Sequence, residues 1–345
     1  MRATLCTGAI LSALIVINGC ATPPAGRTRV HRVALKHRAL EVLEAAILYP
    51  YNPIVRVEAV EAIASCECPE GVPWVRTALL DEHPAVRFAA CTALGDLGDS
   101  SSLKSIRKLL ADEDANVQAA AVYALHRLGD HSQTGRLSTL LLEYGDVTVR
   151  RNAALLLGKL GEKSAIKILA KGMGDADEGV RHHALEAMAR LGNDEACNEL
   201  VFLSNSGVGS LEVFAIHALA RTGRRDFVEP FRYKLTTSKH LEVRLAAALG
   251  LERLGHHGGF GFALRSLRGR RPLNKDPKDP VKGQILRGRQ MAASVLGAAR
   301  QTEGLSVLVE LMADDSDPRI QVSGAQAILK ILAADAKRAL PFEEG

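Results

Sequence analysis

Aromatic side chains are nearly missing from this chain: they make up 4% of it, and tryptophan occurs once, at Trp74. Strands draw on aromatic and β-branched residues for their half-buried faces, so this scarcity argues against a β-rich domain. Motifs for covalent or metal-assisted chemistry are missing too. The chain has no G-x-S-x-G, no H-E-x-x-H and no P-loop, and nothing in it asks for a catalytic residue, a cofactor or a metal. It also lacks the aromatics interleaved with basic residues that stack on single-stranded bases, so nucleic acid is not an expected partner despite a net charge of +5.

What the chain does contain is a repeating unit, plainest at Asp146–Gly161, DVTVRRNAALLLGKLG. Asp146 is a good N-cap, because its carboxylate accepts from a free backbone N–H of the first turn. Val149, Ala153, Leu156, Leu157 and Leu160 then fall on one helical face. Gly161 closes the helix cheaply, having no Cβ to clash in a left-handed conformation. After it, Ala165, Ile166, Ile168 and Leu169 begin a second, shorter amphipathic helix that ends near Gly172 and Gly174. The unit is a helical hairpin.

Taking Val149 as anchor, equivalent residues are Val55, Val86, Val117, Val180, Leu211, Val243, Gly288 and Ile320, in steps of 31 or 32 residues with one step of 45 before Gly288. Such a period marks a repeat architecture. Four residues past the anchor every copy keeps a small side chain, from Ala59 to Ala292 and Gly324. Eight past it stands a large apolar one, as at Ile63, Leu94, Leu157 and Leu296. Twelve past it, Gly98, Gly129, Gly161, Gly192, Gly223 and Gly255 repeat the stop signal, whereas Glu67, Arg300 and Leu332 depart from it. Pro53, Pro84 and Pro318 stand in the first helical turn, where a missing N–H costs nothing.

The motif D-x-x-V-R-x-x-A-x-x-A-L-G-x-L-G, present as HPAVRFAACTALGDLG and DEGVRHHALEAMARLG, resembles that of the HEAT family, in particular the short HEAT-like repeats also found in phycobilin lyases. The resemblance covers the chain from about Pro53 onward. It implies an all-α fold, a right-handed α-solenoid of about nine HEAT-like hairpins. The stretch from Val33 to Leu48, with Leu40, Leu43, Ala46 and Ile47 at second-helix positions, reads as a half-repeat forming a helical N-terminal cap. Layers stacked at 8 to 10 Å give an elongated array roughly 80 Å long. HEAT-like di-iron hydroxylases carry several His-Glu dipeptides, and this sequence has none.

Residues 1–19 read as a signal peptide: Arg2 precedes an apolar run, LCTGAILSALIVI, too short for a permanent membrane span. The run ends in Ile17-Asn18-Gly19-Cys20, which resembles a bacterial lipobox, with Cys20 as the site of lipid attachment. An ordinary cleaved signal with an incidental cysteine is the alternative. Either way the address is the bacterial cell envelope, and Ala21 after the cysteine favours the outer membrane and periplasm. Residues 20–32 are expected to form the lipidated N-terminus and a flexible tether, and residues 33–345 the solenoid.

Four cysteines remain. Cys66 occupies a core column and reads as a buried thiol. Cys66-Glu67-Cys68 lacks the second ligand pair of a zinc site, and a Cys68–Cys91 disulfide between adjacent repeats stays open. His182, His183 and Glu186 share helix faces but lack the converging ligands a metal needs, so they read as a solvated surface. Arg56, Arg87, Arg150, Arg181, Arg244 and Arg289 each follow an anchor. The resemblance implies that they form a structural ladder with acids, for which Asp114, Asp146, Asp177 and Asp317 are the recurrent candidates.

The long step holds an insertion at residues 265–283. Between Arg221 and Arg300 there are eighteen Lys+Arg against six Asp+Glu, so the basic charge is local. Arg265, Arg268, Arg270, Arg271, Lys275, Lys278 and Lys282 are the candidate contacts for an anionic lipid or acidic partner surface. A solvated loop kept soluble by its lysines is the equal alternative. The function expected from all this is a non-enzymatic, lipid-anchored scaffold that binds protein partners. The alternatives are an enzyme or enzyme subunit of the phycobilin-lyase type or, if the N-terminus is not a signal, a nucleic-acid-binding HEAT protein.

Overall fold

A computed structural model describes residues 25–269, 272 and 279–339, and every α-helix and short 3-10 turn in it follows the repeat. Helix α1 (Ala25–Ile47) comes first. Eight hairpins follow: α2 (Pro53–Ser65) with α3 (Val72–Ala78), α4 (Pro84–Asp96) with α5 (Leu103–Lys108), α6 (Ala115–Arg127) with α7 (Gly135–Glu143), and α8 (Val147–Leu160) with α9 (Ile166–Gly172). The series continues with α10 (Glu178–Arg190) and α11 (Asp194–Leu203), α12 (Gly209–Arg221) and α13 (Val228–Thr237), α14 (Leu241–Arg253) and α15 (Phe260–Gly269), then α16 (Val281–Ala299) and α17 (Leu305–Met312). A single long helix, α18 (Pro318–Ala339), ends the described chain, and no strand occurs among the described residues.

Local chemistry explains the boundaries. Asn52, Asp114, Asp146 and Asp177 cap first helices through their side-chain oxygens. Every glycine of the stop column has a positive φ, from 68° at Gly98 to 96° at Gly129. Glu67 and Arg300 take the same left-handed conformation without being glycine, at φ 50° and 54°. The turn is therefore imposed by the repeat even where the sequence resists it. At Leu332 the helix runs on instead.

The array is not extended. Helix α18 packs against both α1 and α2, so its two ends meet and the solenoid closes into a ring. Gln326 donates to the Ser65 hydroxyl at 2.7 Å, Gln290 to Glu58 at 2.9 Å, and the Cys66 thiol to the Gln326 carbonyl at 3.4 Å. Arg32 pairs with Asp335 across the same seam. One apolar cluster runs through it, from Ala39 and Leu43 on α1 to Ile328 and Ile331 on α18. The expected length of roughly 80 Å is thus overturned by end-to-end packing. The ninth hairpin is split: α18 is its first helix and α1, from the other end of the chain, its second.

Closure has a visible cause. A Cβ added at Gly95 would lie 2.8 Å from the Ala124 Cα, and one at Gly158 would lie 2.8 Å from the Ala187 Cα. First helices therefore touch backbone to backbone on the inside of the curve, while the second helices form the wider outer layer. A stack that is closer inside than outside must bend.

Two other expectations change. Helix α1 begins at Ala25, so the described part of the 20–32 tether is helical. The 265–283 insertion is helical at both ends: Arg265 and Arg268 belong to α15, and Lys282 to an α16 that starts well before its anchor Gly288.

Candidate functional site

First helices line the axis, and the residues six and ten past each anchor point into it. The tenth column reads Ser65, Asp96, Arg127, Lys159, Arg190, Arg221, Arg253, Ala298 and Lys330. Six of the nine are basic. With Glu61, Glu186, Leu249, Ser294 and Gln326 from the sixth column, most of them enclose an axial cavity of about 510 Å³. This column is as legible in the repeat alignment as the arginines beside the anchors, but only closure makes it a site.

Part of that charge is neutralised locally. Lys159 reaches Asp96 at 2.8 Å and lies over the Tyr123 ring, whose hydroxyl also donates to Asp96. Arg221 pairs with Glu186 at 2.5 Å, and Glu186 is 6% exposed. Glu186 is therefore an inward-facing, paired acid, and the expected solvated surface at His183 and Glu186 is wrong; His183 keeps a buried Nδ1 without a hydrogen-bond partner. Arg190, Arg253 and Lys330 make no ion pair among the described residues.

The titration of the lining groups reports the same environment. Burial, then the positive charge of Arg221, lowers the Arg253 guanidinium to about 10, against the pull of Glu186. Burial together with Arg253 and Arg221 lowers His217 to about 4. Lys330 is lowered by burial and by Arg253 and Arg300, opposed by Cys66. Glu61 is raised by burial although Lys159 and Arg221 favour its charge. Arg253 and Glu61 present surface to solvent, yet they stand on a concave wall with protein around them, and it is the surrounding protein that desolvates them.

The arginines beside the anchors behave differently. Arg56 donates to Asp81 at 2.8 Å, Arg87 to Asp112 at 2.9 and 2.8 Å, Arg150 to Asp175 at 2.7 and 3.1 Å, and Arg289 pairs with Asp314 at 2.8 Å. Arg181 donates to the Asp175 and Ala176 carbonyls, and Arg244 to that of Leu235. The ladder is structural, as expected, but its acids are not the expected ones. Asp114, Asp146 and Asp177 cap helices, and Asp317 holds Arg319; Asp177 alone of these also binds an arginine of the preceding repeat, Arg151.

Cys66, Cys68, Cys91 and Cys197 are free thiols, so Cys68 and Cys91 do not pair. Burial pushes Cys66 up to about 12 and raises the other three, which suits packing rather than nucleophilic chemistry. No group of three or more His, Cys, Asp or Glu among the described residues could hold a metal ion. Of the insertion's basic residues, Arg265, Arg268 and Lys282 are exposed. Arg270, Arg271, Lys275 and Lys278 lie outside the described residues, as do Cys20 and the signal segment.

The large exposed apolar residues of the ring gather on one face, among exposed acids such as Glu82 and Glu113. Helices alternate in direction, so all links from a second helix to the next first helix share a face. At or beside these links stand Tyr51 (84% exposed), Leu80 (85%), Phe202 (75%), Leu48 (69%) and Ile54 (52%), with Leu142, Tyr144, Val208 and Val281. Among the described residues only Val33 and Tyr233 are large exposed apolar residues elsewhere.

The profile of HEAT repeats matches residues 40–126, 89–146 and 134–211. A HEAT repeat-containing taxis protein of Halobacterium salinarum is 30% identical over 157 residues, 39% of this chain and 38% of that protein, so the chain matches well under half of this relative's length. Among solved structures, the complex of CpcE and CpcF of phycocyanin lyase from Nostoc sp. PCC7120 is similar with a TM-score of 0.44, at 18% identity over 84% of this chain and 100% of that one. Human deoxyhypusine hydroxylase in complex with glycerol is similar with a TM-score of 0.36, at 15% identity over 88% of this chain and 99% of that one. Likeness at these scores carries no functional inference. Residues 40–211 of this chain are HEAT repeats, and the same helical pair carries on around the ring to α18.

Proposed function

We propose that the protein is a non-enzymatic binding scaffold of the bacterial cell envelope, anchored by lipid at Cys20, whose face of exposed apolar residues docks a protein partner. The observation that carries the docking role is the exposure of Tyr51, Ile54 and Leu80 at the two successive links that flank the first hairpin, with Phe202 on the same face four hairpins further on. Exposed aromatic and aliphatic residues gathered on one side of a soluble surface mark interaction sites more often than scattered ones do. The lipid anchor rests on the lipobox-like Gly19-Cys20, and several acyl chains would hold the ring stably at a membrane. The basic residues Arg265, Arg268 and Lys282 are exposed and supply a second, electrostatic contact to anionic lipid head groups.

Fractionation tests the address: wild type is expected in the envelope and labelled by a palmitate analogue, with labelling lost in Cys20→Ser. Docking is tested by crosslinked pull-down from detergent-solubilised envelope. A partner recovered with wild type and lost with Tyr51→Ser/Leu80→Ser supports the reading; equal recovery with both removes it.

A further inference from the structure

The cations of the axial cavity are arranged unevenly. Arg221, Arg253 and Lys330 are near enough to depress one another's protonation in sequence around the wall, Arg221 on Arg253 and Arg253 on Lys330. Between Arg253 and Lys330 the ring has its eighth repeat, and there the sixth and tenth positions are Ser294 and Ala298. The gap in the basic column is thus filled by small side chains. It leaves room beside two cations that no carboxylate neutralises among the described residues. Of the cavity's three carboxylates, Asp96 is committed to Lys159 and Glu186 to Arg221, while Glu61, raised toward its neutral form by burial, feels the charge of Lys159 and Arg221 rather than that of Arg253 or Lys330.

An unbalanced pair of cations on a concave wall is costly unless something anionic shares the space. We propose that the axial cavity is a binding site for a small phosphate-bearing molecule, with its phosphoryl oxygens seated between Arg253 and Lys330 over the Ser294 and Ala298 gap. Arg253 supplies a planar fork suited to two oxygens, Lys330 a mobile point charge, and Ser294 a hydroxyl. A cavity of about 510 Å³ holds a ligand of nucleotide size. Leu249, which also lines it, offers an apolar wall to the remainder of such a ligand. This site is independent of the docking face and of the lipid anchor, and neither is needed for it.

The test uses the chain without its signal segment attached to lipid, residues 21–345, with calorimetric titration and thermal shift. The probes are inorganic phosphate, pyrophosphate, AMP and ATP, each measured across a salt series. Pyrophosphate and at least one nucleotide are expected to bind with one site per chain and to raise Tm. Arg253→Gln and Lys330→Gln should each weaken binding by about tenfold or more, the scale of one lost charge-assisted contact. Arg265→Gln/Arg268→Gln, which removes exposed charge outside the cavity, should leave it unchanged. Tighter binding of nucleotide than of pyrophosphate assigns the apolar wall to a base or sugar; equal binding assigns the site to free polyphosphate. Absence of binding by all four probes, or equal weakening by the Arg265/Arg268 variant, overturns the proposal. Should either cavity variant fail to fold, Ser294→Leu, which fills the gap without touching charge, must abolish binding on its own; if it does not, the proposed seat is wrong.

Discussion

Two columns of basic residues run around this ring, one beside the anchors and one ten residues on, and the chain treats them in opposite ways. Arg56, Arg87, Arg150 and Arg289 are each bonded to an aspartate in the link to the next repeat. Arg190, Arg253 and Lys330 face the axis with no ion pair among the described residues. Residue type is therefore no guide to role here. The first column sits where a link supplies carboxylates and carbonyls; the second sits where only other first helices come near, and those present the same column again. The paired arginines of the first column stabilise the fold; in the second column only Lys159 and Arg221 find an acid among the described residues, and Arg253 and Lys330 are left with like charge beside them.

The largest effect comes from breaking the first column. Arg87 is 8% exposed and donates both to Asp112 and to the carbonyls of Asp81 and Glu82. Arg87→Ala leaves a buried carboxylate and two carbonyls without their donor, and a loss of about 3–5 kcal/mol is expected in denaturant titration. A loss below about 1 kcal/mol would place this arginine among the surface pairs. Leu157→Ala gives a yardstick for packing alone: the side chain is 4% exposed between two repeats, and the cavity it leaves should cost about 2–5 kcal/mol.

The ladder also predicts a pH profile. Hydrogen bonds from Ser316, then the Arg289 guanidinium, lower Asp314 to about 2. Its folded value lies below its unfolded one, so its contribution is complete above about pH 4 and is lost as pH falls toward 2, on the order of 2 kcal/mol in all. Asp112 and Asp175 are also lowered, the first by the Arg87 hydrogen bond and a backbone N–H against a larger opposing effect of burial, the second chiefly by Arg150. Acid unfolding should therefore begin as these three protonate together; Arg289→Ala should flatten the profile between pH 4 and pH 2 only in part, because the Ser316 hydrogen bonds to Asp314 remain, and Ser316→Ala should flatten it more.

Much of the fold was legible in the sequence, because each hairpin is a local object: a cap, a 3.6-residue pattern, a glycine stop. Even the split ninth unit was half visible, since Leu40, Leu43, Ala46 and Ile47 match second-helix positions. Closure was not. It depends on the small rotation between neighbours, which is set by backbone contacts such as Gly158 against Ala187 and accumulates over nine units. The same gap hid the cavity. Nothing in the sequence says that Lys159 and Asp96, two repeats apart, come within 2.8 Å, whereas the basic insertion announces itself by composition. The ladder's acids were misassigned for a related reason: Asp114 and Asp146 recur as regularly as Asp112 and Asp175, and only geometry separates a cap from an ion pair.

A smaller gain follows from the two strained stops. Arg300 holds φ 54° where six other repeats place glycine, and its carbonyl, which accepts from Arg338, is unaffected by its side chain. Arg300→Gly relieves a left-handed backbone and should stabilise by up to about 1 kcal/mol, partly offset by the greater freedom of glycine in the unfolded chain. Glu67→Gly should act in the same direction. An unchanged or lower Tm in both would mean that the side chains contribute more than the backbone strain costs.

The smallest effect is the one that sharpens the contrast most. In the ligand-free protein Arg253→Gln removes a cation that has only like-charged Arg221 and Lys330 near it on the cavity wall, with Glu186 already held by Arg221. Solvent reaches this side chain, so screening keeps the repulsion small, and the expected change is a stabilisation below about 1 kcal/mol. Raising salt should shrink the difference between wild type and variant, because added ions do for the wild type what the substitution does for the variant. The sign is what matters. Arg87→Ala and Arg253→Gln each delete one arginine from a regular column of the same repeat, and only the first is expected to unfold the protein at lower denaturant. A destabilisation by Arg253→Gln comparable to that of Arg87→Ala would show that the axial arginine has a structural partner, and the division between the two columns would fail.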